Sequence, residues 1–148
     1  MKLERYHLKA DETLSIFEVI SVGTKGAIRK IVDFQSRDIP GLYNLAFGDK
    51  HPVTDEIDDL AVTNNGDTDK VLATVVTALY AFLDKNPTAL VYATGSTPSR
   101  TRLYRIGITR FYEEIQQDFI LFGRIGKEFY EFEIGVEYEG FLAQRKFE

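Results

Sequence analysis

The stretch VYATGSTPSRTRLYRIG, Val91 to Gly107, gathers most of the side chains in this sequence that could do chemistry. Arg100, Arg102 and Arg105 fall within about two helical turns, after a turn that adds hydroxyls at Ser96, Thr97, Ser99 and Thr101. Thr97 followed by Pro98 is the order of a helix N-cap and a first-turn proline. The arginines would then ride on a helix start carrying about half a positive charge. Guanidinium groups with outward N–H donors recognise phosphate or carboxylate, and Thr94, Gly95, Ser96, Arg100, Arg102 and Arg105 form the first candidate ligand-binding set. At about 100° per residue, Arg102 and Arg105 share a side of that helix whereas Arg100 lies well away from Arg105. Three guanidiniums on one phosphate are therefore not expected from the helix alone. The same residues also describe a plain capped helix, its arginines solvated or paired with carboxylates.

A second candidate is TNNGDTD, between a strand and a helix, where open α/β sheets place ligands beyond their strand ends. Asn64 and Asn65 could read a polar ligand and Gly66 would permit close backbone approach. The alternative is a tight Asn-Gly turn with Asp67 capping the helix. If both turns lie at one end of one sheet, Asp67 and Asp69 could instead satisfy the arginines. The acidic run Asp55 to Asp59 lacks the spacing and ligand order of a calcium loop and reads as a solvated loop. Two histidines, His7 and His51, cannot build a multi-histidine site in one chain, and no metal site is expected. None of the serines sits in a nucleophile elbow. No cofactor is indicated.

These groups must be positioned by a chain of 148 residues, enough for one domain with a real core. A net charge of −5 argues against nucleic acid as partner, because phosphate contacts are supplied by Lys and Arg. The absence of cysteine removes disulfides, thiolate metal sites and cysteine nucleophiles. No apolar run approaches the roughly 20 residues of a membrane span, and the N-terminus has no signal-peptide pattern. The expectation is a cytoplasmic protein away from membranes.

Alternation with a period of two dominates to about Thr63 and predicts an antiparallel meander. In LSIFEVISVG, Leu14, Ile16, Ile20 and Val22 fall on one face, Phe17 and Val19 on the other. After the turn GTKG, Ile28, Lys30, Val32 and Phe34 share a face, then Tyr43, Leu45 and Phe47, and a short strand has Leu60 and Val62 inward. The period then changes: Val71, Leu72, Val75, Val76, Leu79, Phe82 and Leu83 make one apolar helical stripe. TALVYATG reads as a buried strand, completing a β-α-β unit. The helix after Thr97 is expected to end or kink at Gly107, with a second short helix placing Phe111 and Ile115 inward. FILFGRIGKEFYEFEIG reads as a hairpin with Tyr130, Phe132 and Ile134 on one face, and VEYEGFLAQRKFE as a terminal helix weakened by Gly140. The fold class is α+β, a single domain over 1–148: a meander, a β-α-β-α segment, then a hairpin and a helix.

The segments FGD, VTNNGDTDKVLATV and YATGSTPSRTRLYRIGI resemble a small bacterial family of domains of unknown function, over most of the chain. That resemblance implies no catalytic residues. The order strand, helix, strand, helix from Ile57, with LYRIGI at Leu103 to Ile108, is also similar to the later half of GNAT-superfamily acetyltransferases. It implies a general acid toward the coenzyme A thiolate at Tyr104. The turn NNGDTD departs from that family's basic, glycine-rich pyrophosphate loop. Two classes of function follow: binding of a small anionic ligand at the two turns, or a protein-interaction module, for instance a homodimer, in which the arginines meet acidic residues.

Overall fold

Tight glycine turns and period-two alternation produce the first strands in order. The computed structural model describes residues 6–51, 53–54, 57–58, 66–95 and 97–146, and at 57–58 the backbone only. β1 (Lys9–Ala10), β2 (Ile16–Gly23), β3 (Gly26–Ser36) and β4 (Leu42–Lys50) pair in succession, all antiparallel, and β5 (Ile57–Asp58) adds to β4. The β2–β3 turn closes between Gly23 and Gly26, whose φ of 87° suits glycine. Leu60 and Val62 lie outside the described residues.

α1 (Thr68–Lys85) then crosses back so that β6 (Leu90–Ala93) pairs in parallel with β4, the one parallel junction of the sheet among the described residues. The chain continues through α2 (Pro98–Arg110), α3 (Tyr112–Asp118), β7 (Phe119–Ile125), β8 (Glu128–Glu131) and β9 (Gly140–Arg145). The strand order is β1-β2-β3-β4-β6-β9-β7-β8. The apolar stripe of α1 buries Val71, Leu72, Val75, Val76, Phe82 and Leu83 against one sheet face, where Phe34 stacks on Phe82 with ring centroids 4.4 Å apart. α2 and α3 cover the same face farther along, and Phe111 and Ile115 are buried as expected. Asn86 ends α1 by donating from its amide to the Phe82 carbonyl. No helix among the described residues is long and apolar enough to cross a membrane.

Three expectations are corrected, and the inward face of β2, which alternation left open, is decided. In β2 the inward face is Phe17, Val19 and Ser21, while Ile20 and Val22 are 56% and 62% exposed. Apolar residues stand on both faces of that strand, and the choice is made by Phe17 packing edge-on to Phe34 and by Ser21 donating to Asp67. Gly107 does not end α2, which runs on to Arg110. A Cβ at Gly107 would stand 3.3 Å from Leu72 Cδ2, so the glycine allows α2 to approach α1 closely. In the last hairpin only Phe132 of the expected trio is buried; Tyr130 and Ile134 are exposed at the sheet margin.

The largest correction is at the C-terminus, which is a strand and not a helix. β9 lies between β6 and β7, bonded to both. Without it the facing edges of β6 and β7 would leave rows of N–H and C=O groups unpaired in the interior. Phe141 and Ala143 alternate toward the helices, and Gly140 leaves the room that the phenol end of Tyr92 occupies.

Candidate functional site

The turn from β6 into α2 is held by its own side chains. Thr97 is the N-cap and its hydroxyl accepts from the Arg100 N–H at 3.3 Å, with Pro98 in the first turn as its sequence order requires. The Gly95 N–H donates to Thr101 Oγ1 at 2.9 Å, and the Thr94 hydroxyl donates to the Glu139 carbonyl at 2.8 Å, tying the turn to the segment before β9. A Cβ at Gly95 would lie 2.5 Å from the Thr101 nitrogen, so this position demands glycine. Pro98 brings no N–H, and those of Arg100 and Thr101 bond back to Thr97. Little of the expected amide donor set therefore points outward, and positive potential at the helix start comes mainly from side chains.

Those side chains border a cleft of about 660 Å³. Thr94, Gly95, Thr97, Ser99, Arg102 and Arg105 form one wall; Ile125, Tyr138 and the acidic pair Glu137 and Glu139 form the other. Arg102 and Arg105 share the cleft, as their spacing predicts. Arg102 is exposed and, among the described residues, has no ion-pair partner. Arg105 Nη1 lies 3.9 Å from Glu137, whose side chain is 91% exposed, a loose and well-hydrated contact. Glu139 is occupied by Arg124 and the Gly126 N–H. Arg100 leaves the group: its guanidinium donates to the Phe47 carbonyl at the edge of the core.

The first turn goes elsewhere. Gly66, at φ 76°, packs beside the Thr24 side chain in the β2–β3 turn, and does not border the cleft. Asp67 does not cap α1 with its side chain, contrary to expectation; its carboxylate accepts from the hydroxyls of Tyr6 and Ser21 instead. The Tyr6 hydroxyl also accepts from the Val22 N–H at 3.0 Å. Burial first, and then the bond to Asp67, raise the Tyr6 pKa above that of an ordinary tyrosine. Asp69 pairs with Arg110 at 3.0 Å. Neither aspartate reaches the cleft arginines. Asn64, Asn65 and Ser96 lie outside the described residues. Tyr104, the residue implicated by the acetyltransferase resemblance, borders apolar space under α2 beside Val75 and Gly107 and not the arginine cleft.

The structure also reveals a polar group that no motif marked. Lys30 is 1% exposed and its ammonium lies 2.6 Å from Asp49, with the Phe47 ring 5.9 Å away. A buried ammonium persists only with a partner. The signal was present in the alternation, since Lys30 falls on the apolar face with Ile28 and Val32, and Asp49 continues the face of Leu45 and Phe47. Among the described residues no group of three His, Asp or Glu is placed to hold a metal.

A family of unknown function, DUF6934, matches residues 2–146, and the chain belongs to that family. No curated protein and no solved structure matches it.

Proposed function

For a member of this family of unknown function, we propose that the cleft at the start of α2 binds a small phosphate- or carboxylate-bearing ligand between Arg102 and Arg105. One observation carries the reading: two guanidiniums one helical turn apart border the same cleft, one without an ion-pair partner among the described residues and the other on a loose contact with an exposed glutamate. An anion entering there displaces Glu137 at little cost, because the existing pair is solvated and long. The hydroxyls of Thr97 and Ser99 are at hand as supplementary donors, and the Gly95–Thr101 lock keeps the wall from having to reorganise. The cysteine-free chain suits a reducing bacterial cytoplasm, where such anions abound.

The test is thermal unfolding against inorganic phosphate, sugar phosphates, nucleotides and small carboxylates. Ligand at about 100-fold over its Kd stabilises by about 2.7 kcal/mol. Arg102→Ala with Arg105→Ala should abolish the shift, and Glu137→Gln should strengthen it by removing the internal competitor. A shift that survives the double substitution overturns the proposal. A second reading, self-association, is favoured by Ile20 and Val22, which stand 56% and 62% exposed on the strand face opposite Phe17 and Val19. A dimer mass in solution that Ile20→Lys abolishes would support it.

A further inference from the structure

The space beneath α2 differs in kind from the cleft beside it. An apolar pocket of about 70 Å³, partly open to the surface, lies between the sheet and the helices, bordered by Val75 and Leu79 of α1, Tyr104 and Gly107 of α2, and Ala93 and Ala143 of the central strands. Its origin is legible in those residue types. Ala93 and Ala143 are small where Val91 and Phe141 on the same strands are large, and Gly107 presents no side chain from above. A smaller space of about 20 Å³ follows under the same helix, sharing Leu72, Val75 and Tyr104 with the first and reaching Leu103. The two form an apolar seam along the buried side of α2.

About 10–15 Å³ suffices for one water, but a buried water needs two to four polar partners. The walls expose almost only carbon, so water gains nothing by entering, and only apolar atoms restore the dispersion attraction that the lining side chains forgo across the empty space. We infer that this cavity is a binding site for a compact apolar ligand, or for the apolar group of a larger one, of a few heavy atoms. The roof is the element suited to admit it. α1 buries nine residues, whereas α2 buries only Thr101 and Gly107 and meets the core with half-buried Leu103, Tyr104, Ile106 and Ile108. An element with so little buried surface opens locally at lower free energy than the sheet below it.

Xenon is the probe, because it recognises apolar volume alone. In methyl-labelled protein under xenon pressure, saturable shifts are expected at Val75, Leu79, Ala93 and Ala143, with Ile20 and Val22 on the far sheet face unmoved. Ala93→Val and Ala143→Val, made separately, fill the space from two sides; each should weaken xenon binding at least tenfold while raising the melting temperature. Arg102→Ala should leave xenon binding unchanged, which separates this site from the anion cleft. No saturable shifts in the wild-type chain, cross-relaxation of these methyls with water, or equal binding by a folded filled variant would each overturn the inference. The wild-type measurement decides alone if neither variant folds.

Discussion

At the start of α1 the charge on Asp67 is turned inward, taken by Ser21 Oγ at 2.5 Å and by the Tyr6 hydroxyl. At the start of α2 the charges on Arg102 and Arg105 are turned outward into a cleft. Both turns combine a glycine, a hydrogen-bonding side chain and a helix that follows, so local design does not separate them. What separates them is the neighbour each meets. The first packs on the β2–β3 turn and the N-terminal segment, where a carboxylate tightens the fold. The second faces the loop before β9, where Glu137 reaches Arg105 only loosely and Glu139 is held by Arg124. An inward charge stabilises; an outward one is available for binding.

The comparison breaks most sharply at Gly95. Gly95→Ala drives a Cβ to 2.5 Å from the Thr101 nitrogen, a backbone atom that cannot swing aside. Overpacking of this kind costs about 3 kcal/mol. Urea unfolding should show that loss together with loss of any phosphate response, and an unchanged midpoint would mean the second turn is less tightly locked than its bonds imply.

A smaller effect is expected at the first turn. Asp67→Ala removes an acceptor shared by Ser21 and Tyr6, a loss of about 1 kcal/mol on the scale of single hydrogen-bond deletions, since the Tyr6 hydroxyl can still donate to the Val22 carbonyl. Anion binding at the cleft should be retained, since Asp67 lies at the start of α1 and does not border the cleft. If Asp67→Ala instead alters the anion response, the two turns are coupled after all.

The smallest effect is one of pH. The Tyr6 pKa is raised in the folded chain, so the native state keeps its proton where the unfolded chain, with tyrosine near pH 10, begins to release it. The contribution of this group is fully present below about pH 10 and is lost as pH rises through the raised value. Tyr6→Phe should therefore flatten the decline in stability from about pH 9 to about pH 11. Some decline persists, because burial and the bond to Asp118 raise the Tyr80 pKa as well. Identical slopes for the two chains would remove Tyr6 from the account.

Where periodicity was single-valued, the sequence could be read directly. The stripe of α1, the GTKG hairpin and the Thr97-Pro98 cap each depend on neighbours within one or two turns of chain, and each stands where expected. The pairing of Arg102 with Arg105 and the divergence of Arg100 were legible for the same reason, being angles on one helix. Where both faces of a segment carry apolar groups, periodicity offers two answers. β2 was settled by Phe17 and Ser21, through partners 17 and 46 residues away at Phe34 and Asp67.

Gly107 and Gly140 show the same limit from another side. A glycine reads locally as a breaker, yet these two mark close approaches, to Leu72 and to Tyr92. By itself the sequence determined the α+β class, the antiparallel start, the strongest helix and the chemistry available at the α2 turn, because all are set by short-range periodicity, capping and residue type. Only the tertiary structure decided that the last segment is a central strand, that Asp67 and Asp69 are engaged away from Arg102 and Arg105, and that small residues leave apolar space beneath α2. Each of these depends on which distant backbone edge or side chain arrives to be satisfied, and unpaired backbone in the interior costs more than a local preference of about 1 kcal/mol can oppose.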